Sequence, residues 1–432
     1  MYTQVSSGAV IHSLRFKDWT GDRSIESVGT TAGLGPLPFQ RWRSFKEAFA
    51  PEIVERAVRE TPGRIRHIAD PCGGSGTTAL AAQFLGVKPT TIEVNPYLAD
   101  LIEAKLTMYQ FEELTVTFRA ICKEVNDLRP PSGVLFPGTP ATFVEPGLNG
   151  QFLFSRSVAE RIAMYRDAIR QLKSEQIQRL LIVLLGSVLI PVSNVVVSGK
   201  GRRYRGSWQS RPVSERMVDE LFRQRFLDAI YDLRAYQTRA CREFAVLRGD
   251  CRELISKIEM VDLAVFSPPY PNSFDYTDVY NLELWALGYL RNSMENTELR
   301  KATLRSHVQI HRDMGGRRYS SSALTRTLHE LEKVRSSLWN RHIPDMVCAY
   351  VSDMGDMMAA LSSRLRPGGR VYMVVGDSRY GGVDVPVAKI LAQIARHVDL
   401  SLLKAESCRS MRASPQQGGK QELPETLLVF SK

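Results

Sequence analysis

Of the 432 residues, 44% are apolar and 24% charged, which excludes a disordered chain and suffices for a large buried core. At roughly 150 residues per domain, the length allows two or three domains, or one large α/β domain carrying insertions. Lys and Arg number 57 against 46 Asp and Glu, and the formal net charge of +11 hints at a polyanionic partner without identifying it.

The first stretch, MYTQVSSGAVIHSLRFKDW, lacks the apolar core of a signal peptide, and residues 1–44 read as an irregular arm ending near Gly35-Pro36-Leu37-Pro38. From Phe45 to Val58 the apolar spacing (Phe45, Phe49, Ile53, Ala57) is helical, with Pro51 expected as the first residue of the main helix. A strand–helix rhythm follows: strand 64–69, helix 77–85, strand 89–94 and helix 97–109. Strands alternating with helices predict a parallel sheet with right-handed crossovers. The rhythm then stops. Residues 110–240 hold a Pro/Gly-rich loop (130–150) and helical patterns at 158–172, 180–192 and 214–233. The run Leu180–Val192 is too short for a membrane span and reads as a buried helix, so no membrane partner is expected. Strands are predicted again at 244–247, 261–266, 370–376 and 426–430, with a second irregular stretch at 291–340. The economical reading is one doubly wound α/β domain (45–109 and 241–432) interrupted by a helical insertion at 110–240 and a smaller one at 291–340. The six cysteines are scattered without a CxxC pair, and no histidine has a ligand-spaced partner. No metal site or disulfide framework is therefore expected, and a reduced, cytoplasmic setting fits.

Two segments carry chemistry. The first is IADPCGGSGTT, in which Asp70, Pro71, Cys72, Gly73, Gly74, Ser75, Gly76, Thr77 and Thr78 lie between a strand and a helix. Its glycines let a ligand approach the main chain at the carboxyl end of a strand, where doubly wound sheets bind ligands. Glu93 ends the next strand, placed to accept hydrogen bonds from ribose hydroxyls. A P-loop would need Lys before the Ser/Thr, and Gly76-Thr77-Thr78 has none. The Asp70 carboxylate suits a ligand bearing an amino group and repels a pyrophosphate, which favours S-adenosylmethionine. A structural turn with a chance surface Glu is the bland alternative.

The second is VDLAVFSPPYPNSFDY, a buried strand running into Ser267-Pro268-Pro269-Tyr270. Two prolines make this corner rigid and leave carbonyls available. Ser267 and the Pro268 carbonyl can accept hydrogen bonds from an exocyclic amine while Tyr270 stacks on a planar ring; a plain Pro-rich turn is the alternative. Cysteine-based methylation is disfavoured, because Cys72 lies inside the Gly-rich turn and would face the cofactor instead of a base.

Together, the DPxxGxGTT turn, the acidic end of the next strand and the SPPY corner resemble the amino-group DNA methyltransferases, which use S-adenosylmethionine. Phe45–Pro51, including Phe49, looks like that family's cofactor-covering motif; Gly249-Asp250 looks like its adenine-contacting turn, and Leu365–Asp377 like the strand after the catalytic one. The resemblance covers about 45–108, 244–290 and 344–431. It implies a flipped base held by Ser267 to Tyr270 and methylated on its exocyclic nitrogen, with a Ser-initiated corner leaning toward cytosine N4 over adenine N6. It also allows RNA as substrate, and a restriction or defence partner. A non-catalytic nucleic-acid-binding subunit of the same fold is the contrasting possibility.

Basic residues cluster in the insertion: Lys200, Arg202, Arg203, Arg205 and Arg211, interleaved with Tyr204 and Trp208, form a candidate DNA-contacting stretch. Arg317 and Arg318 are weaker candidates for the same task. A solvated surface loop is the bland reading.

Overall fold

The computed structural model describes residues 15–21, 37–43, 48–198, 201–241, 243–272, 274–412 and 422–432. Phe45 and Lys200 lie outside them. The frame is a seven-stranded sheet in the order β10-β11-β7-β6-β1-β2-β5. Its strands are β1 (His67–Asp70), β2 (Lys88–Glu93), β5 (Ala245–Arg248), β6 (Val261–Phe266), β7 (Leu365–Gly376), β10 (Ser401–Arg412) and β11 (Glu422–Ser431). The first five run parallel, while β11 is antiparallel to both β7 and β10. Two hairpins stand apart, β3 (Val195–Ser198) with β4 (Gly201–Tyr204), and β8 (Ser378–Tyr380) with β9 (Val383–Val385).

Central strands covered on both faces need apolar residues at consecutive positions. In β6, Leu263 and Val265 enter one apolar layer, while Ala264 and Phe266 enter the other. The first layer contains α1 (Glu52–Glu60), α2 (Thr77–Phe84), α3 (Pro96–Leu106) and the inserted helices α4 (Phe111–Asp127), α5 (Arg156–Arg170), α6 (Glu175–Val192) and α7 (Glu215–Ala235). The second is covered by α9 (Ser322–Lys333), α10 (Ile343–Arg364) and α11 (Val387–Ala395). The inserted helices thus share one continuous core with the sheet.

By length and composition α6 can cross a membrane, but two-thirds of it is buried, with Leu180, Leu181 and Val183 to Leu185 fully covered. It packs against α3, α5 and α7. At Gly186 an added Cβ would lie 2.5 Å from the Tyr97 ring, so only glycine permits this approach of α6 to α3.

Several details differ from the sequence reading. Pro51 caps α1 instead of opening it. The stretch 291–340, expected to be irregular, holds α8 (Ser293–Lys301) and α9, whose first turns are capped by Asn292 and Ser321. Strand β10 escaped notice because it is an edge: Leu402 and Leu403 are exposed, and its sequence lacks a strict alternation.

Candidate active site

Strand order reverses between β1 and β6: from β1 the chain builds outward to β2 and β5, and from β6 to β7 and β11. The Gly-rich turn leaves β1 and the SPPY corner leaves β6. These strands are direct neighbours, with Ile68 opposite Leu263 and Ala69 opposite Ala264. The sheet therefore brings two segments almost 200 residues apart within about one strand spacing, ~4.8 Å, at the switch point where open α/β sheets bind ligands. Thr78 ties them together by donating to the Val265 carbonyl at 3.0 Å.

The turn is locked in place by backbone geometry. Gly73 N–H donates to Ile92 O at 3.0 Å, and a Cβ on Gly73 would lie 2.3 Å from Thr91 Cγ2. Gly76, at φ +79°, begins α2. Glu93 clasps the turn from β2: its Oε2 accepts from Gly74 N at 2.7 Å and its Oε1 from Asn95 N at 2.8 Å. Asp70 Oδ1 accepts from Cys72 N at 2.9 Å. Burial pushes both carboxyls up, each to about 7, with the Asp70 charge adding to the effect on Glu93. The Cys72 thiol is pushed well up by its hydrogen bond to Cys251 and by burial, which keeps it a thiol and not a nucleophile.

Behind the turn sits a residue that the sequence reading missed. Lys105 is fully buried, and its Nζ donates to Ser75 O at 2.7 Å and to Gln40 Oε1 at 3.0 Å; burial lowers its pKa to about 7. Its signal was a lysine on the apolar side of α3, in line with Leu98 and Leu101. Gln40 belongs to the arm segment 37–43, which is keyed in turn to buried Asp232 of α7: Phe39 N at 2.7 Å, Trp42 Nε1 at 2.9 Å and the Arg41 guanidinium all donate to that carboxyl.

At the second corner, Ser267 Oγ lies 3.1 Å from Tyr270 Oη and donates to Val374 O at 3.1 Å. Pro268 is buried and Pro269 half-buried. Tyr270 Oη donates to Glu425 Oε1 at 2.8 Å. Glu425, 2% exposed, also went unrecognised in the sequence. It sits on β11 between inward-facing Leu423 and Leu427, and an acid on the buried side of a strand was the available signal.

The remaining candidates are placed as follows. Phe49 is buried in the first apolar layer, next to the start of α1. Asp250 follows β5 and caps the short helix Cys251–Leu254 through Arg252 N at 2.9 Å; its carboxylate also pairs with the Arg252 side chain. Arg252 reaches on to fully buried Asp353, which Arg305 also grips. Arg202, on β4, pairs with Asp278 at 3.6 Å, so the basic hairpin lies beside the helix Tyr276–Val279 that follows the SPPY corner. Arg203 pairs with Val196 through the β3–β4 ladder and is exposed. Tyr204 and Trp208 contact each other at 5.1 Å between ring centroids. Arg205 and Arg211 depart from the expectation of a free basic stretch. Arg205 donates to Ile190 O at 3.0 Å, and Arg211 to Pro191 O and Ser193 O at 2.6 and 2.7 Å, so both cap the carbonyl end of α6. Arg317 folds back on Ser320 and Thr325, while Arg318 pairs with Asp356.

The type II methyltransferase M.AvaI of Nostoc sp. is 26% identical to this chain over 415 residues, spanning 85% of this chain and 80% of that protein. M.BsoBI of Geobacillus stearothermophilus, also a type II methyltransferase, is 24% identical over 435 residues, 88% of this chain and 82% of that protein. This chain is a relative of type II methyltransferases. The resemblance carried by the DPxxGxGTT turn and the SPPY corner holds to that extent, and the sheet is Rossmann-like, mostly parallel with an antiparallel C-terminal strand. No family model matches the chain. Among solved structures, TrmN from Thermus thermophilus is 10% identical with a TM-score of 0.32, covering 93% of this chain but only 53% of TrmN. The rRNA methyltransferase aviRa from Streptomyces viridochromogenes is 10% identical with a TM-score of 0.33, covering 95% and 94%.

Proposed function

We propose that this methyltransferase relative modifies DNA, moving a methyl group from S-adenosylmethionine to the exocyclic amino nitrogen of a flipped base, with cytosine N4 the preferred target. The observation that carries the reading is the adjacency of the Gly-rich turn and the SPPY corner on neighbouring strands at the switch point.

The residues around the turn fit the cofactor. Asp70 and Glu93 are buried carboxyls raised to about 7, a pair that a cationic amine and ribose hydroxyls would satisfy and a pyrophosphate would not. Lys105 cannot offset them for a phosphate, because its Nζ is spent on Ser75 O and Gln40 behind the turn. Asp70 would hold the ammonium end, Glu93 the ribose, and the turn from Cys72 to Thr78 the length between; the Asp250 turn at the end of β5 would close the adenine side. When bound, S-adenosylmethionine supplies an electrophilic methyl group on a sulfonium centre.

The protein's part in the chemistry is positioning. Ser267 Oγ and the Pro268 carbonyl accept the two N–H bonds of the target amine and turn its lone pair toward the β1 turn. The Tyr270 ring stacks on the base and holds it out of the duplex. With S-adenosylmethionine bound, the amine held by Ser267 and Pro268 would take the methyl group from the sulfonium, whose bonding electrons would stay on sulfur, and the amine proton would leave along the hydrogen bonds at Ser267 to solvent. A buried, pKa-raised Cys72 takes no covalent part. The hairpin β3–β4, set beside the helix after the corner, presents Arg202 and Arg203 to phosphates, with Arg205 and Arg211 as its scaffold.

Mass spectrometry of nucleosides from DNA and RNA of expressing cells tests the assignment. N4-methylcytosine in DNA is expected. N6-methyladenine would move the target base, a methylated RNA nucleoside would move the substrate, and no methylated amine in either would refute the reading. Replacing Ser267 with Ala should abolish the product while S-adenosylmethionine binding by calorimetry persists.

A further inference from the structure

The hydrogen bonds at the SPPY corner have a proton count that constrains their direction. Ser267 Oγ touches Val374 O and Tyr270 Oη, and Tyr270 Oη touches Glu425 Oε1. These three contacts share two hydroxyl protons. The Val374 carbonyl can only accept, and Tyr270 donates to Glu425 at 2.8 Å, the shortest of the three. With Tyr270's proton committed there, Ser267's own proton points at Val374 O or at the Tyr270 oxygen. The Ser267 lone pairs are then left for an outside donor.

Resting on the reading of Ser267 as the acceptor of the target amine, we infer that Glu425 is a positioning residue that holds the Tyr270 hydroxyl proton away from Ser267. Without Glu425, Ser267 Oγ, 3.1 Å away, is an acceptor within reach of that proton. Tyr270 would then donate into one of the two Ser267 lone pairs and weaken Oγ as an acceptor for the exocyclic N–H, so the amine's own lone pair would be less well localised toward the methyl group. Glu425 is well placed for this task. It is 2% exposed, and it is fixed on β11 opposite Gly376 of β7, two residues beyond Val374. The same bond fixes the azimuth of the stacking ring.

The experiment is a mutant cycle with tritiated S-adenosylmethionine and unmodified bacterial genomic DNA, using single-turnover rates and nucleoside analysis of the product. Glu425→Ala should lower the rate of methyl transfer about tenfold, the scale of one lost hydrogen bond in the transition state. Its S-adenosylmethionine affinity and thermal midpoint should stay near wild type. Glu425→Gln, whose amide oxygen still accepts, should recover most of the lost rate. The decisive arm is the Tyr270→Phe background, which keeps the ring and removes the competing proton: adding Glu425→Ala there should have no further effect. If Glu425→Ala is as fast as wild type, or costs as much with Phe at position 270 as with Tyr, the inference is overturned. Wild-type protein that puts no methyl group on a DNA amino nitrogen would instead refute the functional reading, and the inference would fall with it.

Discussion

Cofactor affinity should rise with pH, because the two acids flanking the Gly-rich turn are buried and pair with no cation among the described residues. Burial lifts Asp70 from 3.8 to about 7, roughly three units, so ionising it in the empty site costs roughly 4 kcal/mol more than in water. Glu93 is lifted to about 7 by burial and by Asp70. An ammonium group entering the site needs an ionised Asp70, so the apparent affinity should strengthen about tenfold between pH 6 and pH 8 for one acid, and up to about a hundredfold if both must ionise. Titration calorimetry at several pH values, in buffers of different ionisation enthalpy, measures this directly and should also detect protons released on binding near pH 7. Asp70→Asn should weaken binding at pH 8 by about ten- to a hundredfold, the range of a charge-assisted hydrogen bond, and flatten the profile. The apoprotein should respond in the opposite sense. Both carboxyls sit above their unfolded values, so the folded state holds extra protons between about pH 4 and 7 and loses stability as the pH climbs through that window. Asp70→Asn should therefore melt higher than wild type at pH 8 and converge with it near pH 4. A flat wild-type affinity profile from pH 6 to 8, or an Asn variant that binds like wild type, would refute the argument.

Other outcomes follow from packing and charge. Gly73→Ala forces a methyl group to within 2.3 Å of Thr91 Cγ2 and 2.8 Å of Ile102 Cδ1, and should cost about 1–3 kcal/mol in chemical denaturation together with the loss of S-adenosylmethionine binding. Asp232→Ala leaves the Phe39 N–H, the Trp42 indole and Arg41 without their shared acceptor, and should destabilise the protein by about 3–5 kcal/mol in the same assay. Arg203→Ser and Arg211→Ser should separate two kinds of basic residue. The first should lower the slope of log DNA affinity against log salt by about one with little change in melting; the second should lower melting, because it uncaps α6, and leave the slope nearly unchanged.

Much of the fold was legible because parallel strands buried on both faces write themselves as consecutive apolar residues. Val261–Phe266 was read to the residue, and the β1 and β2 units were placed within a few positions. Within 291–340, helix α8 has no buried residue and so no apolar stripe to mark it, whereas α9 did carry a readable one in Ala323, Leu324, Thr327 and Leu331. Edge strand β10 hid for a related reason: one of its sides faces solvent, and burial no longer dictates its pattern. The Gly-rich turn and the SPPY corner were readable because their chemistry depends on backbone shape, which Gly and Pro announce locally. Their adjacency was not, since it follows from β6 pairing with β1 across almost 200 residues of intervening chain.

Polar residues on apolar faces supplied the rest, and they share a physical logic. Lys105, Asp232 and Glu425 each occupy a position where the helix or strand period calls for a hydrophobe, and each is at least 98% buried. Desolvating a charged group costs several kcal/mol unless partners satisfy it, so such a residue persists only where it organises something nearby. Glu425 organises the Tyr270 hydroxyl and Lys105 the Ser75 carbonyl of the Gly-rich turn. Asp232 organises the arm that carries Gln40 to Lys105. The last two form one continuous chain, Asp232 to the arm, Gln40 to Lys105 and Lys105 to Ser75, running from inserted helix α7 to the Gly-rich turn. The insertion is therefore tied to the Gly-rich turn through buried hydrogen bonds that have no solvent to replace them, and a shift of α7 cannot leave that turn unaffected.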